Sequence, residues 1–334
     1  MMWDQIQIRS SGRSDSPALI YLPGLHGDWT LVGSFKAALG EAVRFVEITY
    51  PRTTSWTARD YANGVIEVLA EAGIKTGWLL AESFGSQVGW EILRLSSSQG
   101  GSGGSKTGSR PLTLALSPTG GEGSTSPPFS SERGKEDKSG ASGSKFSGAG
   151  KSDAPPAEAG TPNREWPSKE RFCVNGLILA GGFVRHPMRW IIPIVQRINR
   201  AIPMRALGVI CRGYAFYARF RHRRAPETLA GVKDFIVNRS AEEDRRAIAW
   251  RYKIIGDNDF CDIARSTSVP VYQLTGLFDP VVPWLSVRRW LKRNCASYAG
   301  WKLIWGADHN VLGSAPAAAA RQVLEWMNGK ADRE

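Results

Sequence analysis

A short apolar run that turns directly into a helical pattern constrains the fold of this chain more than any other feature of its sequence. The stretch reads Gly77-Trp-Leu-Leu-Ala-Glu-Ser-Phe-Gly-Ser-Gln-Val-Gly-Trp-Glu-Ile-Leu93 and carries a serine, Ser83, between the two patterns. Small residues two positions before and after it, Ala81 and Gly85, allow strand and helix to approach closely, and the tight turn strains the backbone of Ser83. The stretch predicts a strand, a sharp turn that exposes a serine hydroxyl (a nucleophile elbow), and a helix.

Strand and helix patterns alternate along most of the chain. Strands are predicted at 3–9, 17–22, 43–49, 77–82, 174–181, 269–275 and 300–306, and helices at 30–39, 57–72, 84–95, 284–294 and 315–328. Alternation with apolar strands predicts an α/β fold whose mostly parallel, doubly wound sheet is covered by helices on both faces. Ligands of such sheets bind beyond the carboxyl ends of the strands, so functional groups are expected there.

The composition divides the chain into further segments. Between 96 and 168 the sequence is rich in Gly, Ser, Pro and charges of both signs, and few residues could form a core, which predicts disorder. The predicted organisation is a first part of the core at 1–95, this low-complexity insert at 96–168, a core strand at 169–184, a helical cap at 185–265 and a last part of the core at 266–330.

Two further candidate residues follow Ser83, each at the end of a predicted strand. Asp279 lies in a glycine-containing turn after the strand at 269–275, and His309 stands just past the run at 300–306. A neutral serine hydroxyl is a poor nucleophile, so an imidazole must take its proton and a buried carboxylate must hold the imidazole in the right tautomer. We interpret Ser83, Asp279 and His309 as a candidate catalytic triad.

Each of these residues also has a structural interpretation. Asp279 precedes Pro280 and could cap a turn, while His309 could be a loop histidine bonded to a backbone carbonyl. Asp308 and Asp262 compete for the role of the acid. Asp308 is adjacent to the histidine and cannot easily face its ring, and Asp262 precedes a strand instead of ending it, so Asp279 is the better candidate.

A glycine-rich turn near the N-terminus is typical of an oxyanion loop. It follows the strand at 17–22 and reads Pro23-Gly-Leu-His-Gly-Asp28. Acyl transfer places negative charge on an oxygen, which two preorganised backbone N–H groups stabilise. One candidate donor is the amide of Phe84, and the other is the amide of Leu25, with Asp28 as the second choice. His26 precedes Ser83 in the chain and is interpreted as a structural loop residue.

Together these motifs resemble those of α/β-hydrolase fold proteins with a helical cap. The similar motifs are the Leu-Pro-Gly-Leu-x-Gly turn at 22–27, the Glu-Ser-Phe-Gly turn at 82–85, the segment at 183–187 and the Gly-x-x-Asp-x-x-Val-Pro pattern at 276–283. The resemblance covers nearly the whole chain apart from the insert. It implies a serine hydrolase or acyltransferase without metal or organic cofactor, although the fold also includes haloperoxidase-like and inactive members.

The predicted cap concentrates the positive charge of the chain, whose formal net charge is +12. Residues 185–224 contain ten arginines and no Asp or Glu: Arg185, Arg189, Arg197, Arg200, Arg205, Arg212, Arg219, Arg221, Arg223 and Arg224. Apolar residues alternate with them at helical spacing, which predicts amphipathic helices. Three interpretations stay open: a solvated basic face, attraction of acidic substrates or an anionic membrane surface, and nonspecific attraction of nucleic acid without a recognition motif.

The cellular compartment is inferred from the N-terminus and the cysteines. Residues 1–9 alternate like a strand and lack the continuous apolar core of a signal peptide. The four cysteines have no paired spacing, which favours reduced thiols over disulfides or a metal site. We expect a cytoplasmic protein.

The expected activity is hydrolysis of a small-molecule carboxylic ester or thioester through an acyl-enzyme on Ser83. An acyltransferase would differ only in the nucleophile that resolves this intermediate. The alternative is a non-catalytic binding protein or a membrane-surface protein that uses the arginine-rich cap. The sequence leaves open the chain length of the substrate, the oligomeric state and the role of the insert.

Overall fold

A computed structural model describes residues 5–98, 172–203 and 242–329 together with scattered positions between 206 and 233. The insert predicted at 96–168 therefore lies outside the described residues from position 99 onward. The same holds for much of the predicted cap, including Arg205, Arg221, Arg223 and Arg224. The cap boundaries at 185 and 265 stay predictions.

The described elements alternate as the sequence predicts. In chain order they are β1 (Gln7–Ser11), β2 (Ala18–Leu22), α1 (Gly33–Leu39), β3 (Arg44–Thr49), α2 (Ala58–Glu71), β4 (Thr76–Glu82), α3 (Gly85–Ser98), β5 (Cys173–Ala180), a 3₁₀ turn (Arg189–Ile191), α4 (Ile192–Ala201), α5 (Glu242–Asp257), α6 (Cys261–Ser266), β6 (Val271–Gly276), α7 (Trp284–Asn294), β7 (Tyr298–Ile304), α8 (Val311–Ser314) and α9 (Pro316–Met327).

The strands form one seven-stranded sheet in the order β1-β3-β2-β4-β5-β6-β7. The edge strand β1 pairs antiparallel with β3, and every other neighbouring pair is parallel. The predicted α/β class with a mostly parallel sheet is confirmed. Because all the parallel strands end at the same edge, the loops that follow β2, β4, β6 and β7 meet there.

Several element boundaries differ from the prediction for local reasons. The first strand lies at 7–11 instead of 3–9, since its pairing with β3 runs from Gln7 opposite Thr49 to Ser11 opposite Phe45. Helix α1 starts later than position 30 because the carboxylate of Asp28 accepts the N–H of Thr30 in a turn. Helix α8 was not predicted, because four residues are too few to show a helical period.

The core lies on both faces of the sheet. Alternate residues of β2 point to opposite faces, so Ile20 packs with α2 and α3, while Leu19 packs with α1 and α9. The fully buried Trp90 on α3 and Trp326 on α9 fill the two layers. Each fully buried side chain of this size contributes roughly 1.5–3 kcal/mol to stability. A sheet covered on both faces holds its strand ends rigidly, which fixes the loops beyond them.

Candidate active site

The turn after β4 holds Ser83 in a strained conformation. Its φ of 48° is the only positive value of a non-glycine residue in the described part of the chain, and its N–H donates to the carbonyl of Ala180 at 3.1 Å. Such dihedrals cost about 1–3 kcal/mol and persist where the surrounding structure enforces them. Gly85 lies so close to the carbonyl of Leu22 that a Cβ atom would overlap it. The turn therefore has the geometry that the sequence predicts, with the serine at its tip.

The structure brings Ser83, His309 and Asp279 together in one hydrogen-bonded line. Nε2 of His309 lies 2.9 Å from Oγ of Ser83, and Nδ1 lies 2.8 Å from Oδ2 of Asp279. The other carboxylate oxygen, Oδ1, accepts the N–H groups of Val281 at 2.8 Å and Val282 at 2.9 Å. The Asp279 side chain is fully buried. Its carboxylate is thus held by the following loop in the orientation that meets the imidazole.

The two competing acids have other partners. The carboxylate of Asp308 accepts the N–H of Asn310 at 3.1 Å, and Asp262 forms an ion pair with Arg94 at 3.0 Å. Both ring nitrogens of His309 are already engaged by the serine and by Asp279. Of the three acids, Asp279 is the one whose carboxylate contacts the ring in this structure.

The surroundings of His309 raise its pKa above the ordinary value. Burial alone lowers the pKa, but the hydrogen bond and charge of Asp279, with the charges of Glu82 and Asp308, more than offset this effect. The imidazolium form is thereby stabilised. This is the property required of a group that takes a proton from Ser83.

The turn between β2 and α1 lies against Ser83. The N–H of Gly27 donates to the carbonyl of Gly24 at 3.0 Å and closes the turn. A Cβ atom added to Gly24 would lie 3.4 Å from Cβ of Ser83, so the turn and the serine are in close proximity. Among the described residues, no acceptor is paired with the backbone N–H of Leu25 or of Phe84. Two candidate donors are therefore available near the serine hydroxyl.

A buried polar cluster that the sequence analysis did not identify lies next to Ser83. The hydroxyl of Tyr21 donates to the carboxylate of Glu82, and Nε2 of His26 lies 3.3 Å from that hydroxyl and 3.9 Å from Oε2 of Glu82. Burial and the Glu82 charge raise the pKa of Tyr21 well above its ordinary value. The only sequence signals were a tyrosine inside an apolar strand and a glutamate directly before the serine. His26 contacts this cluster, whereas His309 contacts Ser83.

A second histidine, His186, lies close to the candidate triad on the segment after β5. Its Nδ1 accepts the N–H of Met188 at 3.2 Å, and its ring packs edge-on against Phe183 at 4.9 Å. Burial, followed by the nearby charge of His309, lowers the pKa of His186 below its ordinary value. At neutral pH the imidazole of His186 is therefore uncharged.

A cavity of about 430 Å³ lies beside His186. Its walls come from the segment after β5 and from α6 and α7, and they include Val184, Arg185, Pro187, Arg189, Trp190, Cys261, Ser286, Val287 and Trp290. At this cavity, Nη1 of Arg185 forms an ion pair with Oδ2 of Asp259 at 3.1 Å. The volume lies in the range of small-molecule sites.

Within the described ranges, no three His, Cys, Asp or Glu side chains converge as a metal site would require. In the same ranges no helix has the length and apolar character needed to cross a bilayer.

The chain has the α/β-hydrolase fold, since solved structures of that fold match it over nearly its full length. An esterase from Thermogutta terrifontis has a TM-score of 0.59 at 13% identity, covering 98% of this chain and 94% of that one. An enol-lactonase from Burkholderia xenovorans has a TM-score of 0.59 at 14% identity, covering 97% and 96%. An α/β-hydrolase from a deep-sea metagenome of the Medee basin has a TM-score of 0.60 at 10% identity, covering 98% and 96%.

In sequence, no protein-family model matches the chain, and neither does any curated protein. The likeness to the solved structures is therefore one of fold.

Proposed function

We propose that this protein is a serine hydrolase that cleaves a small carboxylic ester or thioester. The observation that carries the proposal is the hydrogen-bonded line from Ser83 through His309 to the buried Asp279. A hydroxyl, an imidazole and a carboxylate at these distances have the geometry of nucleophile, base and orienting acid. The esterases and the enol-lactonase among the structural neighbours support an ester as the substrate class.

In the proposed reaction, Oγ of Ser83 attacks the carbonyl carbon while Nε2 of His309 takes the hydroxyl proton. The amides of Leu25 and Phe84 donate to the resulting oxyanion. The bond to the alcohol or thiol then breaks, and His309 returns the proton to the leaving group. A water molecule, deprotonated by His309, then attacks the acyl carbon. As the bond to Oγ of Ser83 breaks, His309 returns that proton to Oγ, and the carboxylic acid is released. Asp279 keeps the imidazole oriented throughout.

The cavity beside His186 is the candidate site for the part of the substrate that does not react. Aromatic and aliphatic walls favour an apolar acyl or alcohol group, since Arg185 and Arg189 already lie beside the carboxylate of Asp259. An acyltransferase would use the same triad with an alcohol or thiol in place of water. The nature of the acyl acceptor therefore separates these two activities.

A second candidate, attachment to an anionic membrane surface, is favoured by one face of α4 and the turn before it. Trp190, Ile194 and Ile198 follow one another at helical spacing and are 70%, 47% and 52% exposed. Arg189 and Arg197 lie on the same segment. An apolar stripe beside basic residues is the pattern of helices that bind at a lipid interface.

Labelling with a fluorophosphonate probe followed by peptide mapping tests the hydrolase proposal. We expect the label on Ser83, its loss in Ser83→Ala and a strong reduction in His309→Ala. Ser97→Ala is the matched control, because among the described residues that hydroxyl bonds to the carbonyl of Leu93 in its own helix. A folded wild-type protein that takes no label would overturn the proposal.

Vesicle sedimentation tests the second candidate separately. Binding to phosphatidylserine vesicles that persists in Ser83→Ala and is lost in an Ile194→Glu, Ile198→Glu double variant would support a membrane-surface role. Equal partitioning of wild type and double variant would exclude this face as the contact.

A further inference from the structure

Helix α5 places one buried arginine against the candidate oxyanion turn. Arg251 is only 2% exposed, and a buried cation is costly unless its N–H groups are paired. Its Nη1 donates to the carbonyl of Leu25 at 2.7 Å and its Nη2 to the carbonyl of Pro51 at 3.0 Å. In the described part of the chain no carboxylate forms an ion pair with it. The guanidinium thus donates to two backbone carbonyls, one in the turn and one in the chain after β3.

Aromatic rings complete the surroundings of this guanidinium. Its Cζ lies 5.7 Å from the ring centroid of Tyr50 and 6.0 Å from that of Tyr61, within the range of cation–π contacts. Both rings pack edge-on against Phe84, at 5.9 and 5.6 Å. Arg251 therefore contacts Leu25 directly and reaches Phe84 through two tyrosine rings. These are the residues whose amides are the candidate oxyanion donors.

The turn needs contacts from other parts of the chain to keep one conformation, because Gly24 and Gly27 have no side chains that restrict rotation about their backbone φ and ψ bonds. Gly27 has a φ of 80°, and a Cβ atom there would lie 2.7 Å from Cζ of Arg251. The carbonyl of Gly27 accepts the N–H of Tyr50 at 2.8 Å. The turn is therefore held at Leu25 by the guanidinium and at Gly27 by the chain after β3.

We infer that Arg251 is a positioning residue that holds the amides of Leu25 and Phe84 ready for the oxyanion. The inference rests on the proposed function and adds a link between α5, in the predicted cap, and the reacting centre. Oxyanion donors stabilise a transition state only when they are fixed before the charge develops. The carbonyl that Arg251 holds belongs to the peptide unit after Leu25, and fixing it restrains the turn that carries the Leu25 N–H. Without Arg251 the turn gains freedom at Leu25, while Ser83, His309 and Asp279 keep their contacts.

Steady-state kinetics on a p-nitrophenyl ester distinguish this role from a merely structural one. In Arg251→Met we expect kcat to fall about 10- to 100-fold, as for partial loss of an oxyanion donor. KM should stay within about threefold of wild type, because ground-state binding does not use the oxyanion contacts. Arg246→Met is the matched control, since Arg246 is an exposed residue of the same helix that pairs with Glu242.

A trifluoromethyl ketone provides a second, independent readout. Oγ of Ser83 adds to its carbonyl carbon, the serine proton passes to His309, and the C=O electron pair becomes an oxyanion in the candidate hole. Its inhibition constant should rise in Arg251→Met by the same factor by which kcat falls. Arg251→Lys keeps the positive charge and a hydrogen-bond donor, so its kcat and its affinity for the ketone should lie between those of wild type and Arg251→Met. It serves as the test variant if the Met variant does not fold.

Different results would overturn the proposed hydrolase activity and the role of Arg251. A wild-type protein that neither turns over esters nor binds the ketone would overturn the proposed function. An active wild type whose folded Arg251→Met or Arg251→Lys variant keeps its kcat and its ketone affinity would overturn the role of Arg251 alone. A rise in KM with kcat and ketone affinity unchanged would also overturn it.

Discussion

The hydroxyl of Tyr21 donates a hydrogen bond to the carboxylate of Glu82, the residue that immediately precedes Ser83. Both side chains are buried, and Nε2 of His26 lies beside them. The strained turn at Ser83 is thus connected through side chains to the neighbouring strand β2 and to the turn that follows it. This cluster gives His26 a structural partner and adds negative charge near His309.

Removal of the Tyr21 hydroxyl should destabilise the fold. Tyr21→Phe leaves the buried Glu82 carboxylate without this donor, at a cost of about 1–3 kcal/mol. Urea unfolding at neutral pH measures the loss. Tyr298→Phe is the control, because that hydroxyl is half-buried, donates a longer bond of 3.3 Å to Gln273 and has Arg288, not a buried carboxylate, beside it. Equal stability of the two variants would show that the Tyr21 bond contributes no more than a peripheral one.

The rate of ester cleavage should rise with pH through the pKa of His309. Only the neutral imidazole can accept the serine proton, and the structure raises this pKa above the ordinary 6.5. The midpoint of the acidic limb of kcat/KM should therefore lie above 6.5. In Asp279→Asn the largest contribution that raises the pKa is removed, so the midpoint should fall and the rate should drop by roughly 10⁴-fold. A limb that does not move in this variant would contradict the assigned contact.

A methyl group at Gly85 should not be tolerated. The Cβ of Gly85→Ala would overlap the backbone carbonyl of Leu22, which cannot move without displacing β2. We expect insoluble protein or a loss of more than about 3 kcal/mol, as for severe overpacking. Gly256→Ala is the control in helix α5, where the nearest atom lies 3.4 Å away and alanine should stabilise by about 0.5–1 kcal/mol. Thermal unfolding of both variants compares these effects, and a stable Gly85→Ala variant would contradict the packing.

Filling the cavity beside His186 should change substrate preference without affecting the chemistry. Ser286 lines this cavity from α7, so a Ser286→Trp variant should raise KM for long-chain p-nitrophenyl esters while acetate esters are cleaved as before. Arg289→Trp is the control, because Arg289 lies on the same helix and does not line the cavity. Chain-length profiles of kcat/KM measure the shift. An unchanged profile in the filled variant would place the substrate elsewhere.

Much of the fold could be predicted because local rules specify it. Strand and helix periods were visible in the sequence, and the glycine at position 85 marked the turn at Ser83. Boundaries were less predictable, since β1 takes its register from β3, which lies more than thirty residues away in the chain. The Asp28 turn, which delays α1, also depends on a side-chain contact that hydrophobic periodicity does not reveal.

The sequence by itself determined the class of fold, the strained serine turn and the order of the candidate residues along the chain, because these follow from periodicity and short-range sterics. Only the tertiary structure decided which histidine contacts Ser83 and which acid contacts that histidine, and it alone brought Arg251 onto the turn at Leu25. Such contacts join residues up to 226 positions apart. They depend on how the strands are ordered and how the helices cross them, and no local pattern encodes that arrangement.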